Sequence, residues 1–316
     1  MLKYVAQKLF YAVFTLWIIM TATFFLMNNL PGDPVQTGTK VLPDAVAQNL
    51  EERWGLNKPL GERYVIYLKN FVQGDFGESY RNVGVSANTI IKQRLPASIQ
   101  LGLQAVGVGL ILGLILGIAA AFHRNTGVDA LVMFIAIIGV SVPSFVLASL
   151  LQRFGGGGFF AITGWAKVTD GIVPLLSKTL LPTMAAAIGS IATYSRFMRS
   201  SVLDTLGNDY ILTAKAKGLS QGEIIRRHVL RNSLTPIISI VAPQLAGIFT
   251  GSFVIERIFT IPGLGRYYID SVNGHDFPLI MTTTVFFAMI FILSIVLMDI
   301  LYALVDPRIR KSLMDK

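Results

Sequence analysis

Residues 95–122 read LPASIQLGLQAVGVGLILGLILGIAAAF, twenty-eight consecutive positions without an Asp, Glu, Lys or Arg. As a helix rising about 1.5 Å per residue, such a stretch exceeds the roughly 30 Å hydrocarbon core of a bilayer. Five more charge-free windows follow the same logic, at 9–30, 130–152, 179–195, 232–255 and 277–298. The fourth is the shortest, and Leu175 and Leu176 extend it if Lys178 snorkels to the interface. The reading is an all-α polytopic membrane protein with six transmembrane helices, at 9–30, 95–122, 130–152, 175–195, 232–255 and 277–305. A five-span arrangement that omits the short fourth window is the alternative.

Composition agrees. Of 316 residues 53% are hydrophobic and 14% charged, against about 25% charged in a soluble domain. The net charge of +9 fits the Lys and Arg excess of cytoplasmic segments better than nucleic-acid binding. There is no Cys, which excludes disulfides and thiolate metal sites, and His123, His228 and His275 are too scattered for a metal cluster.

With the N-terminus (1–8) inside, cytoplasmic segments hold Lys3 and Lys8, then Arg124, seven basic residues in the loop 196–231, and four in the tail 306–316. The outer loops 153–174 and 256–276, with Lys178 at the first one's edge, hold five. Both termini are therefore expected in the cytoplasm. The first window is longer than the 7–15 residues of a signal-peptide core and reads as a retained anchor. Segment 31–94 is too polar to span, so a small extracytoplasmic subdomain is expected there, with an amphipathic helix over 60–71 carrying Tyr64, Tyr67, Leu68 and Phe71. The run Gly155 to Gly158 reads as a flexible outer loop.

Gly109, Gly113 and Gly117 recur every four residues and share one helix face, as do Gly247 and Gly251 in the fifth window. Small residues at that spacing let another backbone approach closely, either within one bundle or at a moving contact between subunits. Pro143, Pro182, Pro236 and Pro243 lie in or beside spans and predict kinks. Ion-coupled carriers commonly place an ionisable group at depth, whereas Glu256, Arg257 and Asp299 all stand at window ends. The sequence also lacks a Gly-x-x-x-x-Gly-Lys-Ser/Thr phosphate loop. An energy source on another chain is the consequence. Gly139-Val140-Ser141 has the Gly-x-Ser form of an intramembrane protease, but no His falls within a window; Ser141 reads better as a hydroxyl returned to the backbone beside Pro143.

The most informative segment is Asn208 to Pro236. Asn208 or Asp209 is placed to cap a short helix, Lys215 and Lys217 sit in its last turn, and Gly218 marks a left-handed stop. Ser220-Gln221-Gly222-Glu223 has the form of a capping box that starts a second helix through Ile224, Ile225, His228 and Leu230 toward the fifth span.

The stretch DYILTAKAKGLS at 209–220, with Arg227-His228 and Leu230-Arg231-Asn232, resembles the cytoplasmic loop of ABC-importer permeases of the oligopeptide/dipeptide/nickel family. The wider class carries Glu-Ala-Ala, three residues, Gly, nine residues, then Ile-x-Leu-Pro. Leu212, Thr213 and Ala214 stand where the first triplet falls, and His228, Leu230 and Arg231 where the later ones do, so the Glu and the Pro are replaced. The Thr-Ala-Lys-Ala-Lys-Gly form is that of the peptide branch. Asn29 to Pro34, Gly55 to Leu60, Gly74 to Gly77, Arg94 to Ser98 and Phe259 to Gly265 resemble the family's first permease subunit, whereas the four-glycine run has no counterpart.

The resemblance implies a type I importer fold and an importer of oligopeptides or dipeptides, with nickel chelates or another small solute as the alternative in the family. An autonomous secondary carrier or channel is the alternative of another class. It further implies a second permease subunit, two ATPase subunits that bind ATP and Mg, an extracytoplasmic substrate-binding protein, and no cofactor or catalytic site on this chain. Asp209, Tyr210, Leu212, Thr213, Ala214, Lys215, Ala216, Lys217, Gly218, Leu219, Ser220 and Glu223 would form the ATPase-coupling segment. Nothing in the residues fixes the substrate pathway.

Overall fold

A computed structural model describes residues 2–29, 55, 57–79, 84–230, 232–234, 237, 240 and 253–305. Among the described residues, four helices are long and apolar enough to cross a membrane. They are α1 (Leu2–Asn28), α3 (Ala87–Phe122), α6 (Ile172–Leu206) and α11 (Phe277–Val305). A bent pair makes up to five. The window 232–255 falls mostly outside the described residues, and Gly247, Gly251, Pro236, Pro243 and the tail 306–316 lie wholly outside them.

Helix ends differ from window ends for a plain reason. A charge ends the stretch that lipid tolerates, but it does not end a helix. Thus α3 begins before Lys92 and Arg94, and α6 runs through Arg196 and Arg199 to Leu206. Pro96 and Pro182 lie inside α3 and α6 rather than ending them.

The third window is not one straight helix. It forms α4 (Gly127–Ser141) and α5 (Ser144–Leu150), the latter continued by a π-helical turn over Leu151–Gly155, and the two parts meet at 108°. Pro143 supplies the physical cause, since it has no N–H to continue the ladder. Ser141 is exposed and makes no back-bond, contrary to expectation. The four glycines form a defined turn rather than an unstructured loop: Gly157 and Gly158 take φ of +105° and +59°, and the Gly157 N–H reaches the Phe160 carbonyl at 2.8 Å.

The chain divides into two units, 1–97 with 262–316, and 98–261. In the first, α1 packs along α11. The expected amphipathic helix is α2 (Leu60–Val72), whose Tyr64 and Tyr67 rings lie 5.3 and 5.4 Å from Phe24 of α1. The turn at Gly74–Ser79 is pinned rather than loose. Asn88 donates to the Gly74 carbonyl at 2.6 Å, Thr282 to the Phe76 carbonyl at 2.5 Å, and the Ser79 hydroxyl to buried Asp276. The segment 256–276, expected as a loop, carries helix from α9 (Phe253–Ile258) and all of α10 (Leu264–Asn273), where Tyr267 accepts a hydrogen bond from Arg94 at 3.0 Å.

In the second unit, α3 crosses α6 along the glycine face. A Cβ added at Gly109 would lie 2.7 Å from the Ser190 Cβ, one at Gly113 2.6 Å from the Tyr194 Cβ, and one at Gly117 2.6 Å from the Ser195 carbonyl. The three glycines therefore serve close packing inside this chain, the plainer of the two readings. Gly139 does the same for α4 against Ala192. Farther along, Gln152 donates to the Ile258 carbonyl at 2.7 Å, and Ser98 to the fully buried Glu256 at 2.7 Å.

Candidate functional site

The segment between α6 and the fifth window is built on a buried cluster. Met198 and Val202 of α6 and Ala121 of α3 meet Ile211 and Ala214 of α7 (Asp209–Ala216), together with Ile224, Val229 and Ile237. Ile211 and Ala214 are three apart and share a helix face, so burying them fixes which side of α7 looks outward.

That outward side carries most of the residues singled out from the sequence. Leu212 is 62% exposed and Tyr210 40%. Asp209, Thr213, Lys215, Ala216 and Lys217 are exposed as well. Thr213 returns its hydroxyl to the Asp209 carbonyl at 3.1 Å, and Tyr210 accepts a hydrogen bond from Asn232 at 3.0 Å. Leu212 and Tyr210 thus stand exposed beside Lys215 and Lys217, on a helix whose opposite face is buried.

The stop at Gly218 is as the sequence predicts. Its φ is +78°, its N–H reaches the Lys215 carbonyl at 2.9 Å, and the Leu219 N–H reaches the Ala214 carbonyl at 3.2 Å. Those two bonds make a Schellman motif, and Leu219 packs on the same cluster that holds Ala214. The capping box also forms. Ser220 N–H meets Glu223 Oε2 at 3.2 Å, and Glu223 N–H meets Ser220 Oγ at 3.4 Å. Accepting the Ser220 N–H and hydroxyl, aided by Arg227 and Arg226, holds the Glu223 carboxyl below its ordinary value.

Two details depart from the sequence reading. Asn208 stands at the N-cap of α7 but does not cap it; its amide donates backward to the Asp204 and Thr205 carbonyls, closing α6 instead. The second helix is α8 (Gln221–Ile224) followed by a π-helical turn over Ile225–Val229. Beyond it Ser233 is fixed on α6, its hydroxyl 3.2 Å from the Ser201 carbonyl and 3.0 Å from the Thr205 hydroxyl.

Asp129 and Arg199 were invisible in the sequence as a pair. They join the first turn of α4 to α6 just above this cluster, through Oδ1–Nε and Oδ2–Nη2 contacts of 2.5 and 2.6 Å.

The chain combines packed apolar spans with a short loop helix whose exposed face stands opposite a buried one. Residues 113–311 match the family of the binding-protein-dependent transport system inner membrane component, and residues 1–102 match the N-terminal region of the same membrane component. The chain belongs to this family. The dipeptide transport system permease protein DppB of Lactococcus lactis subsp. cremoris (strain MG1363) is 41% identical over 312 residues, 98% of this chain and 100% of that protein. DppB of Bacillus subtilis (strain 168) is 41% identical over 98% of each chain. The oligopeptide transport system permease protein OppB of Escherichia coli (strain K12) is 37% identical over 98% of this chain and 100% of its own length. The resemblance read from residues 209–220 is therefore sound, and the chain is a multi-pass membrane permease. A solved methionine ABC transporter in inward-facing conformations aligns over 72% of this chain and 95% of its own with a TM-score of 0.46 and 16% identity, too remote to bear on function.

Proposed function

We propose that this chain is one permease subunit of an ATP-driven importer of dipeptides or oligopeptides. It pairs with a second, similar permease, two cytoplasmic ATPases that hold ATP and Mg, and an extracytoplasmic binding protein that delivers peptide. It performs no chemistry itself. The bacterial or archaeal plasma membrane holds it with both termini in the cytoplasm, as the excess of Lys and Arg on segments 1–8, 196–231 and 306–316 requires.

The observation that carries the reading is the locked outward face of α7. Leu212 and Tyr210 are left exposed on a helix whose other face is buried, and covering them in a groove of an ATPase would contribute on the order of 1–3 kcal/mol each. The near-full-length identity with dipeptide and oligopeptide permeases supports the substrate class. Reconstitution tests it. Proteoliposomes with the complete complex, binding protein and ATP should accumulate labelled peptide, and those with this chain alone should neither hydrolyse ATP nor accumulate peptide. Peptide uptake by the chain alone, driven by a proton or sodium gradient, would replace the reading with a secondary carrier.

A further inference from the structure

The break between α4 and α5 leaves backbone groups that no described residue satisfies. Val142 N–H reaches the Ile138 carbonyl at 2.9 Å, and Val146 N–H the Pro143 carbonyl at 3.0 Å. Pro143 has no N–H to give the Gly139 carbonyl. Among the described residues, the carbonyls of Gly139, Val140 and Ser141 accept no hydrogen bond and the amides of Ser144 and Phe145 donate none. Gly139 is buried against α6, whereas the segment from Val140 on lies open. Val140 is 55% exposed and Phe145 48%, and Ser141, Pro143 and Ser144 are exposed with them.

Depth makes this informative. Fourteen residues separate Gly127 from Ser141, about 21 Å along a helix that begins near one face of a hydrocarbon core about 30 Å thick. Lipid offers no donors or acceptors there, and each unsatisfied backbone group costs several kcal/mol against hydrocarbon. Irregular backbone at that depth is tolerated where it is covered by protein or faces water. A sealed contact with another subunit would need matching donors at a 108° bend. A water-filled passage needs none, because water satisfies the groups until the substrate replaces it.

The freed groups suit a peptide. The Val140 and Ser141 carbonyls and the unpartnered Ser141 hydroxyl are acceptors, and a peptide offers main-chain N–H groups and a terminal ammonium in any sequence. We propose that the Val140–Phe145 break lines the substrate passage, with the carbonyls of Val140 and Ser141 and the Ser141 hydroxyl accepting hydrogen bonds from the peptide main chain. This rests on the permease reading above and deepens it. Recognition by backbone acceptors is indifferent to side chains, as passage of many peptides through one channel demands.

The chain has no native Cys, so single cysteines report accessibility directly. Ser141→Cys, Ser144→Cys and, as a reference on the unbroken α3, Ile111→Cys (60% exposed) are placed in the complete complex in proteoliposomes. A membrane-impermeant sulfonated methanethiosulfonate is the probe, and labelling is read on this chain alone. Cysteine at 141 and 144 should react at least ten-fold faster than at 111 in some state of the ATP cycle. Saturating peptide with binding protein should slow that reaction. Background rates at 141 and 144 in every state would mean that a partner or lipid seals the break, and would overturn the inference. Peptide uptake is measured in parallel with the unsubstituted chain, which has no Cys: a wild-type complex that imports no peptide contradicts the permease reading, whereas wild-type import with unreactive cysteines at 141 and 144 contradicts this inference alone.

Discussion

Asp129 holds Arg199 with both carboxylate oxygens, Oδ1 to Nε at 2.5 Å and Oδ2 to Nη2 at 2.6 Å, and the Asn125 N–H adds a third bond to Oδ2 at 3.0 Å. The carboxylate is nearly buried and the guanidinium is 23% exposed, so removing either partner strands the other. Breaking a fully buried pair costs about 3–5 kcal/mol; partial exposure puts Asp129→Ala nearer 2–3 kcal/mol. The thermal midpoint of the purified chain should fall accordingly. The double variant with Arg199→Ala should recover part of the loss, and strictly additive losses would show that the pair does not interact.

Glycines on one helix should differ sharply in tolerance. Gly113→Ala sets a Cβ 2.6 Å from the Tyr194 Cβ and 3.1 Å from the Ile191 carbonyl, so α3 and α6 must separate, whereas Gly107→Ala meets nothing within 4 Å. Overpacking of this kind costs about 1–3 kcal/mol. Thermal unfolding in detergent should show the loss at Gly113 and little change at Gly107. Equal behaviour would refute the close crossing.

The legibility of this fold in its sequence followed the physics of each signal. Gly218 and the Ser220 to Glu223 box were readable because each needs one residue type at one backbone position. The spans 95–122 and 277–298 were readable because lipid tolerates few charges. A kink at Pro143 was readable but its 108° size was not, since apolar residues continue on both sides of it and proline also sits inside the continuous helices α3 and α6, as Pro96 and Pro182 show. The Asp129–Arg199 pair was hidden because its members lie seventy residues apart and only packing joins them. Asn208 was misassigned because its amide had two helices to serve, and the carbonyls of α6 took it.

Acid should affect the start of α8 in one direction only. The Glu223 carboxyl lies below its ordinary 4.5 because it accepts the Ser220 N–H and hydroxyl. A depressed carboxylate contributes stability above its unfolded value and loses it as pH falls through the folded one. Hydrogen exchange over 220–229 should therefore be flat, once corrected for intrinsic rates, from pH 8 to 5 and rise only below 4.5. Protection already lost at pH 6 would contradict the capping box. Glu223→Gln should keep most of the protection and Glu223→Ala should lose it.

Topology can be read with two cysteines. Val72, 85% exposed on α2, and exposed Ser220 should label from opposite sides of intact cells, Val72→Cys from outside and Ser220→Cys only after permeabilisation. Labelling of both from outside would refute the proposed orientation.

The central claim is that segment 209–220 couples ATP hydrolysis on partner subunits to peptide movement through this chain. Gly218 takes φ +78°, and a Cβ there would meet nothing within 4 Å. A side chain is therefore penalised by conformation alone, on the order of 1–2 kcal/mol and most for a β-branched residue. Gly218→Val should leave membrane abundance near normal, because the spans are untouched, while α7 loses its stop and seats badly; Gly218→Ala should be milder. The decisive measurement is peptide taken up per ATP hydrolysed in the complete reconstituted complex, wild type against Gly218→Val. The account predicts a clear fall in that ratio, or loss of ATPase association, and a valine variant that assembled normally and transported at the wild-type ratio would contradict it.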